Sequence, residues 1–71
     1  MPSADIIAQK LRKLRGTRTR EEVAAALHIS VSALAMYENG SRIPRDEIKV
    51  ALARYYGTTV GELFFDQQGH E

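Results

Sequence analysis

The apolar positions of this chain fall into short helical clusters separated by capping and turn residues. Two of these clusters, between Thr19 and Pro44, stand a tight turn apart. Thr19 followed three residues later by Glu22 is a capping box, whose hydroxyl and carboxylate satisfy free backbone donors, so a helix begins at Arg20. Val23, Ala24 and Leu27 form its buried stripe, three successive alanines favour helix, and Leu27 lies near its end. A break at His28 and Ile29 precedes Ser30, which caps a further helix from Val31 to about Asn39. Ile29 before the cap and Leu34 at the fourth helical position have the spacing of a hydrophobic staple, and Asn39-Gly40 closes the helix. Further on, Pro44 fits a helix start, Asp46 and Glu47 suit a first turn, and Ile48, Leu52 and Tyr55 recur at i, i+4, i+7 before Gly57. Thr59 with Glu62 is a second capping box, opening a short helix that holds Val60, Leu63, Phe64 and Phe65.

Counting about 100° per residue, Leu34, Tyr37 and Glu38 turn inward on the helix from Val31. The opposite side carries Ser32, Met36 and Asn39, with Ala33 and Ala35 at its margins. That outward face is small and uncharged, so it can enter a major groove about 12 Å wide. The plainer alternative is a surface helix of a small bundle, but such faces are rich in Lys and Glu, and this one has neither. Two helices joined by a turn of three to four residues have the spacing of a DNA-reading helix-turn-helix.

The runs IIAQKLRKLRG, TREEVAAALHIS and VSALAMYENGSRIP, with the helix that follows, resemble the Cro and phage-repressor group of helix-turn-helix regulators, the Xre-like family. The likeness covers about residues 6 to 65. Ile7, Leu11, Arg12, Leu14 and Arg15 match the run of the first helix; Ser30 matches the head of the third, and Tyr37, Glu38 and Gly40 its end. The resemblance implies an all-α, compact five-helix repressor-like domain, with the helix-turn-helix at helices 2 and 3, helix 3 in the major groove and transcriptional control as the task. Three departures stand out. Arg18 and Arg20 replace the usual Leu and Gln on either side of the Thr, the segment from Arg15 to Thr19 is about two residues short, and His28 replaces a turn Gly. His is among the non-glycine residues enriched in the left-handed region.

With 71 residues there is room for one domain, residues 1–65, followed by a polar tail, 66–71; a core of this size is marginal without idealised helix packing or self-association. The absence of cysteine removes disulfide and thiolate-metal frameworks. No long apolar run suggests a signal or a membrane span, which makes a cytoplasmic protein the expectation. The net charge of +1 argues against a nucleic-acid partner until its distribution is read. Lys10, Arg12, Lys13, Arg15, Arg18, Arg20, Arg42 and Arg45 face only Asp5, Glu21, Glu22 and Glu38, whereas from Asp46 onward acids outnumber bases. The basic half holds the motif.

Roles follow for individual residues. Arg20 lies at the first turn of helix 2, where backbone N–H groups and the helix dipole attract a phosphate. Ser30 at the head of helix 3, and Asn39, Arg42 and Arg45 in and after the loop closing it, lie where the resemblance implies backbone contact; Arg18 joins them if its loop points to the duplex. Asn39 and Arg42 have plainer readings as helix-end residues, and Arg18 as a free surface residue. Arg15 and Glu38 each fall on an inward side, and the resemblance pairs them as a partly buried ion pair. Ser32 offers one weak hydrogen-bonding group to base edges, and Val31, Ala35 and Met36 offer apolar surface for thymine methyls, so operator shape carries much of the specificity.

His28 and His70 have no ligand or triad partners at suitable spacing, so neither an enzyme, a cofactor nor a metal is expected. One recognition helix reads only a few base pairs, which argues for a weak homodimer on a palindromic or pseudo-palindromic operator in double-stranded DNA. Two adjacent Phe cannot both face a small core from a helix, so an exposed one, with Leu63, Phe64 and Phe65 as the apolar centre, is the expected interface. The alternative is that both tuck under helix 1 or helix 4 as the last helix frays. The rival function is an antitoxin-like or adaptor protein of the same fold whose main partner is another protein.

Overall fold

A computed structural model describes residues 3–65, and the polar tail 66–71 lies outside the described residues. The order is α1 (Ala4–Arg15), α2 (Arg20–Leu27), α3 (Val31–Asn39), α4 (Asp46–Tyr56) and a π-helical segment, Gly61–Phe65. Among the described residues there is no strand, and no helix is long and apolar enough to cross a membrane.

Local chemistry sets each boundary. The Ser3 hydroxyl accepts from the Ile6 N–H, Thr19 from Glu22 at 3.0 Å and Ser30 from Ala33 at 3.0 Å, so each of the first three helices starts on a hydroxyl cap. His28 closes α2 with φ 58° and ψ 40°, a left-handed residue in the position the resemblance gives to glycine. Gly40 closes α3 at φ 83° and also needs its missing side chain, because a Cβ there would stand 2.8 Å from the Asp5 carboxylate at the head of α1. The α4 start differs from the expected one. Pro44 is buried ahead of the helix, Arg45 is the capping residue without a side-chain cap bond, and Asp46 is the first helical residue.

The core joins Ile7 and Leu11 of α1, Val23, Ala24 and Leu27 of α2, Leu34 and Tyr37 of α3, Leu52 of α4, and Leu63 and Phe64. Each large side chain fully buried here contributes about 1.5–3 kcal/mol of transfer free energy. α3 rests chiefly on α1 and secondly on α2, so the outer face of the second helix of the motif stays open. The buried stripe of α4 is rotated from the expected one. Lys49, Leu52 and Ala53 are buried, while Ile48 and Tyr55 are only half-buried. Lys49 is accommodated because its stem covers apolar surface while its ammonium lies over the Phe64 and Phe65 rings, 5.6 and 5.2 Å from their centres, and 3.7 Å from Asp46.

The expectation that Leu63, Phe64 and Phe65 form an exposed apolar centre is corrected here. Leu63 and Phe64 are enclosed by the chain's own core, and only Phe65 is exposed, at 47%. The adjacent residues Leu63 and Phe64 both point inward from the π-helical turn, as the adjacent Tyr37 and Glu38 do from α3. The Thr59 hydroxyl still accepts from the Glu62 N–H, Thr58 donates to the Glu62 carboxylate at 2.8 Å, and the Lys10 ammonium donates to the Glu62 carbonyl at 2.8 Å, fastening the segment to α1.

Candidate nucleic-acid interface

On α3 the inward set is Leu34, Tyr37 and Glu38, as the helical count predicts. Val31 and Ser32 are exposed, and Ala35 and Met36 are half-buried at the edge of the same side. Ser32, Ala35 and Met36 stand at i, i+3, i+4 and form one continuous strip, with Asn39 one turn beyond. Among the described residues this strip carries no charge.

Glu38 anchors the helix behind it. Its side chain is fully enclosed, with Arg15 Nε 2.8 Å from one carboxylate oxygen and Arg20 Nε 2.9 Å from the other. Its backbone carbonyl accepts from the Arg12 guanidinium. α1, the start of α2 and the end of α3 are thereby joined at one acidic residue. The Arg15–Glu38 pair matches the expectation, and the engagement of Arg12 and Arg20 was not foreseen. A signal for it existed: a buried carboxylate has about four acceptor positions on two oxygens, more than one guanidinium nitrogen satisfies.

The residues proposed for phosphate contact divide accordingly. Arg20 sits at the head of α2 with its side chain 40% exposed; its Nε is held by Glu38, and no other hydrogen bond of its guanidinium is formed among the described residues. Arg18 is placed differently from the reading that sends it to the duplex. Its guanidinium donates to the Leu14 carbonyl at 3.0 Å and lies over the rings of Tyr55 and Tyr56, 5.5 and 5.8 Å from their centres. Cation–π attraction to an edge-packed tyrosine pair competes with a solvent-exposed role, and the loop carrying Arg18 is further tied by Arg15 donating to the Arg18 carbonyl. The Ser30 hydroxyl accepts from its own helix, which leaves its O–H to donate outward. Asn39 Oδ1 accepts from the Ser41 N–H at 2.9 Å, leaving the amide N–H groups. Arg42 and Arg45 are exposed in the α3–α4 connection, and Arg45 makes only a loose 4.0 Å contact with Glu47, in which both side chains are exposed. The backbone N–H groups of Ser41 and Arg42 both turn back to the Met36 carbonyl, so this connection is held in place.

Beyond this face, the half-buried Tyr56 carries an enclosed hydroxyl that the periodicity did not mark. Its hydroxyl makes no hydrogen bond among the described residues, and burial, followed by the nearby Glu38 charge, pushes its pKa up from 10.0 to about 12.

Comparison with known proteins agrees with the geometry. A family model described as helix-turn-helix matches residues 9–63. The chain is 32% identical over 65 residues to the cryptic phage CTXphi transcriptional repressor RstR of Vibrio cholerae, an overlap that covers 89% of this chain and 59% of that protein. The chain thus spans about three-fifths of the length of the curated relative it matches. No solved structure matches it. With α2, the His28 turn and α3 in the arrangement described and the match running through all of them, the chain belongs to the Xre-like, Cro and phage-repressor family of helix-turn-helix proteins.

Proposed function

We propose that this chain is a sequence-specific regulator of transcription, acting as a repressor, that lays α3 in the major groove of double-stranded DNA. The observation that carries this reading is the uncharged Ser32–Ala35–Met36 strip, flanked by Arg20 at the head of α2 and by Arg42 and Arg45 after α3. The strip is small enough to approach base edges, and the arginines before and after it in the chain supply positive charge for phosphate contacts. The likeness to a phage protein named as a transcriptional repressor supports repression over activation. In this reading Val31, Ser32, Ala35 and Met36 read bases, while Arg20, Ser30, Asn39, Arg42 and Arg45 meet phosphates. A single α3 reads few base pairs, so the operator is a palindrome or near-palindrome occupied by two copies, and the site of action is the cytoplasm.

Selection of bound duplexes from a random library is the test. Enrichment of a two-fold symmetric consensus, followed by a gel shift on that consensus, is the expected outcome. Recovery of unselected duplexes, or of no duplex, overturns the reading.

A further inference from the structure

We infer that the groove beside α3 is a binding site for a small apolar carboxylate, and that its occupant draws Arg42 and Arg45 away from the duplex. The site stands on the groove alone, and its effect on the duplex rests on the proposed DNA-binding reading.

A groove of about 500 Å³ runs between α3, the α3–α4 connection and the first turn of α4. Small-molecule sites have volumes of about 300–1,000 Å³. Its apolar lining is Ile29, Ala33, Ile43 and Ile48, the first, second and fourth half-buried and Ile43 41% exposed. An apolar body of matching size releases the water that the folded chain leaves on these side chains.

The polar features of the same groove select an anion. Arg42 and Arg45 line it, whereas Asp46 and Glu47 follow in the chain without lining it. Among the described residues the Arg42 guanidinium has no partner, and Arg45 has only its 4.0 Å contact with Glu47. α4 starts at Arg45 without a side-chain cap, so its first backbone N–H groups stay open to an acceptor. Tyr37 is an independent sign. It lines the groove although only 6% exposed, and its hydroxyl forms no hydrogen bond among the described residues. Unlike the Tyr56 hydroxyl, it is not shut off from the surface, so it can donate to an occupant.

These features narrow the ligand to one class. Inorganic phosphate pairs with arginines but covers none of the apolar side chains, and an uncharged hydrocarbon covers them but leaves the donors unmet. A carboxylate on a small apolar body answers both, since a guanidinium takes a carboxylate through two parallel hydrogen bonds. The same donors are those proposed for phosphate oxygens, so the carboxylate and the duplex backbone compete for them.

Octanoate is the probe, with acetate as the charge without the body and octanol as the body without the charge. Amide shifts of the isotope-labelled chain without DNA are expected to saturate with octanoate at a Kd of about 1 mM, centred on Ile29, Ala33, Ile43 and Ile48. Acetate and octanol are each expected to bind about fivefold more weakly or worse. Arg42→Gln combined with Arg45→Gln is expected to weaken octanoate binding about fivefold, and Tyr37→Phe about threefold. Circular dichroism checks that the variants fold. Shifts that do not saturate, that octanol reproduces at equal concentration, that the variants leave unchanged, or that centre on Lys10, Leu14 and Leu63 overturn the inference.

On the selected duplex, saturating octanoate is expected to lower affinity about fivefold, while acetate at the same concentration, which matches ionic strength, does not. Tyr37→Phe, outside the proposed duplex contacts, is expected to bind the duplex as the parent does and to need about threefold more octanoate for release. Duplex affinity unmoved by bound octanoate overturns the competition. Duplex binding without saturable octanoate shifts sinks the site alone. Octanoate binding in the groove of a chain that binds no duplex upholds the site while sinking the regulatory reading.

Discussion

Glu38 is the residue on which the motif turns, because its carboxylate has left water completely and, among the described residues, Arg15 and Arg20 compensate it. Removing one partner of a buried ion pair costs about 3–5 kcal/mol, since the other is left uncompensated. Arg15→Ala combined with Arg20→Ala leaves the enclosed carboxylate uncompensated and is therefore expected to lose stability of that order in urea unfolding, and Arg20→Ala alone much less, because Arg20 is substantially exposed and Arg15 remains. Equal losses for the two would contradict the arrangement. The inward position of Glu38 and its pairing with Arg15 were legible, since periodicity fixes which way a Cβ points. The second guanidinium was not, because an arginine reaches its partner through several rotatable bonds that helical spacing does not set. The same holds for Arg18, which the sequence leaves free and the structure lays on Tyr55 and Tyr56. Tyr56 supplies a pH test. Its folded pKa of about 12 lies above the unfolded 10, so the neutral hydroxyl favours the fold. That contribution is complete below pH 10 and is lost as pH rises toward 12. Tyr56→Phe is expected to remove this alkaline loss and to raise stability at neutral pH by about 1 kcal/mol, as it deletes a buried hydroxyl that has no hydrogen-bond partner among the described residues. Unchanged alkaline unfolding in Tyr56→Phe would assign the loss to other groups.

Among elements, those with polar caps were the readable ones. Thr19, Ser30, Gly40 and Gly57 mark their boundaries because each meets a local backbone requirement that needs no tertiary information. The phase of α4 was not readable: weighting aliphatic residues places Ile48 inside, whereas the fold buries Lys49 with its ammonium over two phenyl rings. Nor was the π-helical turn, which packs against α1. That turn divides the two phenylalanines into different roles. Phe64→Ala empties a fully enclosed site and is expected to cost about 3–5 kcal/mol. Phe65→Ser is expected to cost far less, as the ring is half in water. Thermal melts of the two variants decide the matter, and similar melting points would mean that Phe64 is not the enclosed ring of the pair.

For the whole molecule the informative quantity is the segregation of charge, not its small sum. The first 45 residues carry a surplus of bases and the remainder a surplus of acids, a polarity visible from the order of residues alone. The fold then decides which of those bases remain available. Arg15 is committed to Glu38 and Arg18 to helix and ring contacts, while Arg20 keeps an outward edge and Arg42 and Arg45 stay in solvent. On the proposed reading these arginines, with Asn39 and a helix N-terminus, contact roughly three to five phosphates per monomer, for an expected slope of log K against log salt of about −3 to −5. Arg42→Ala is expected to lower affinity for every duplex and to flatten that slope by about one. Met36→Ala is expected to leave the slope intact and to shift the preference among sites by about 1 kcal/mol or more per contacted base pair. The two effects separate because phosphate contacts are blind to sequence and groove contacts release few counterions. Gel shifts across a salt series on the selected operator and on one mismatched duplex measure both. A slope near zero removes the electrostatic account, and a Met36→Ala variant with an unchanged consensus means that α3 enters the groove on a different face.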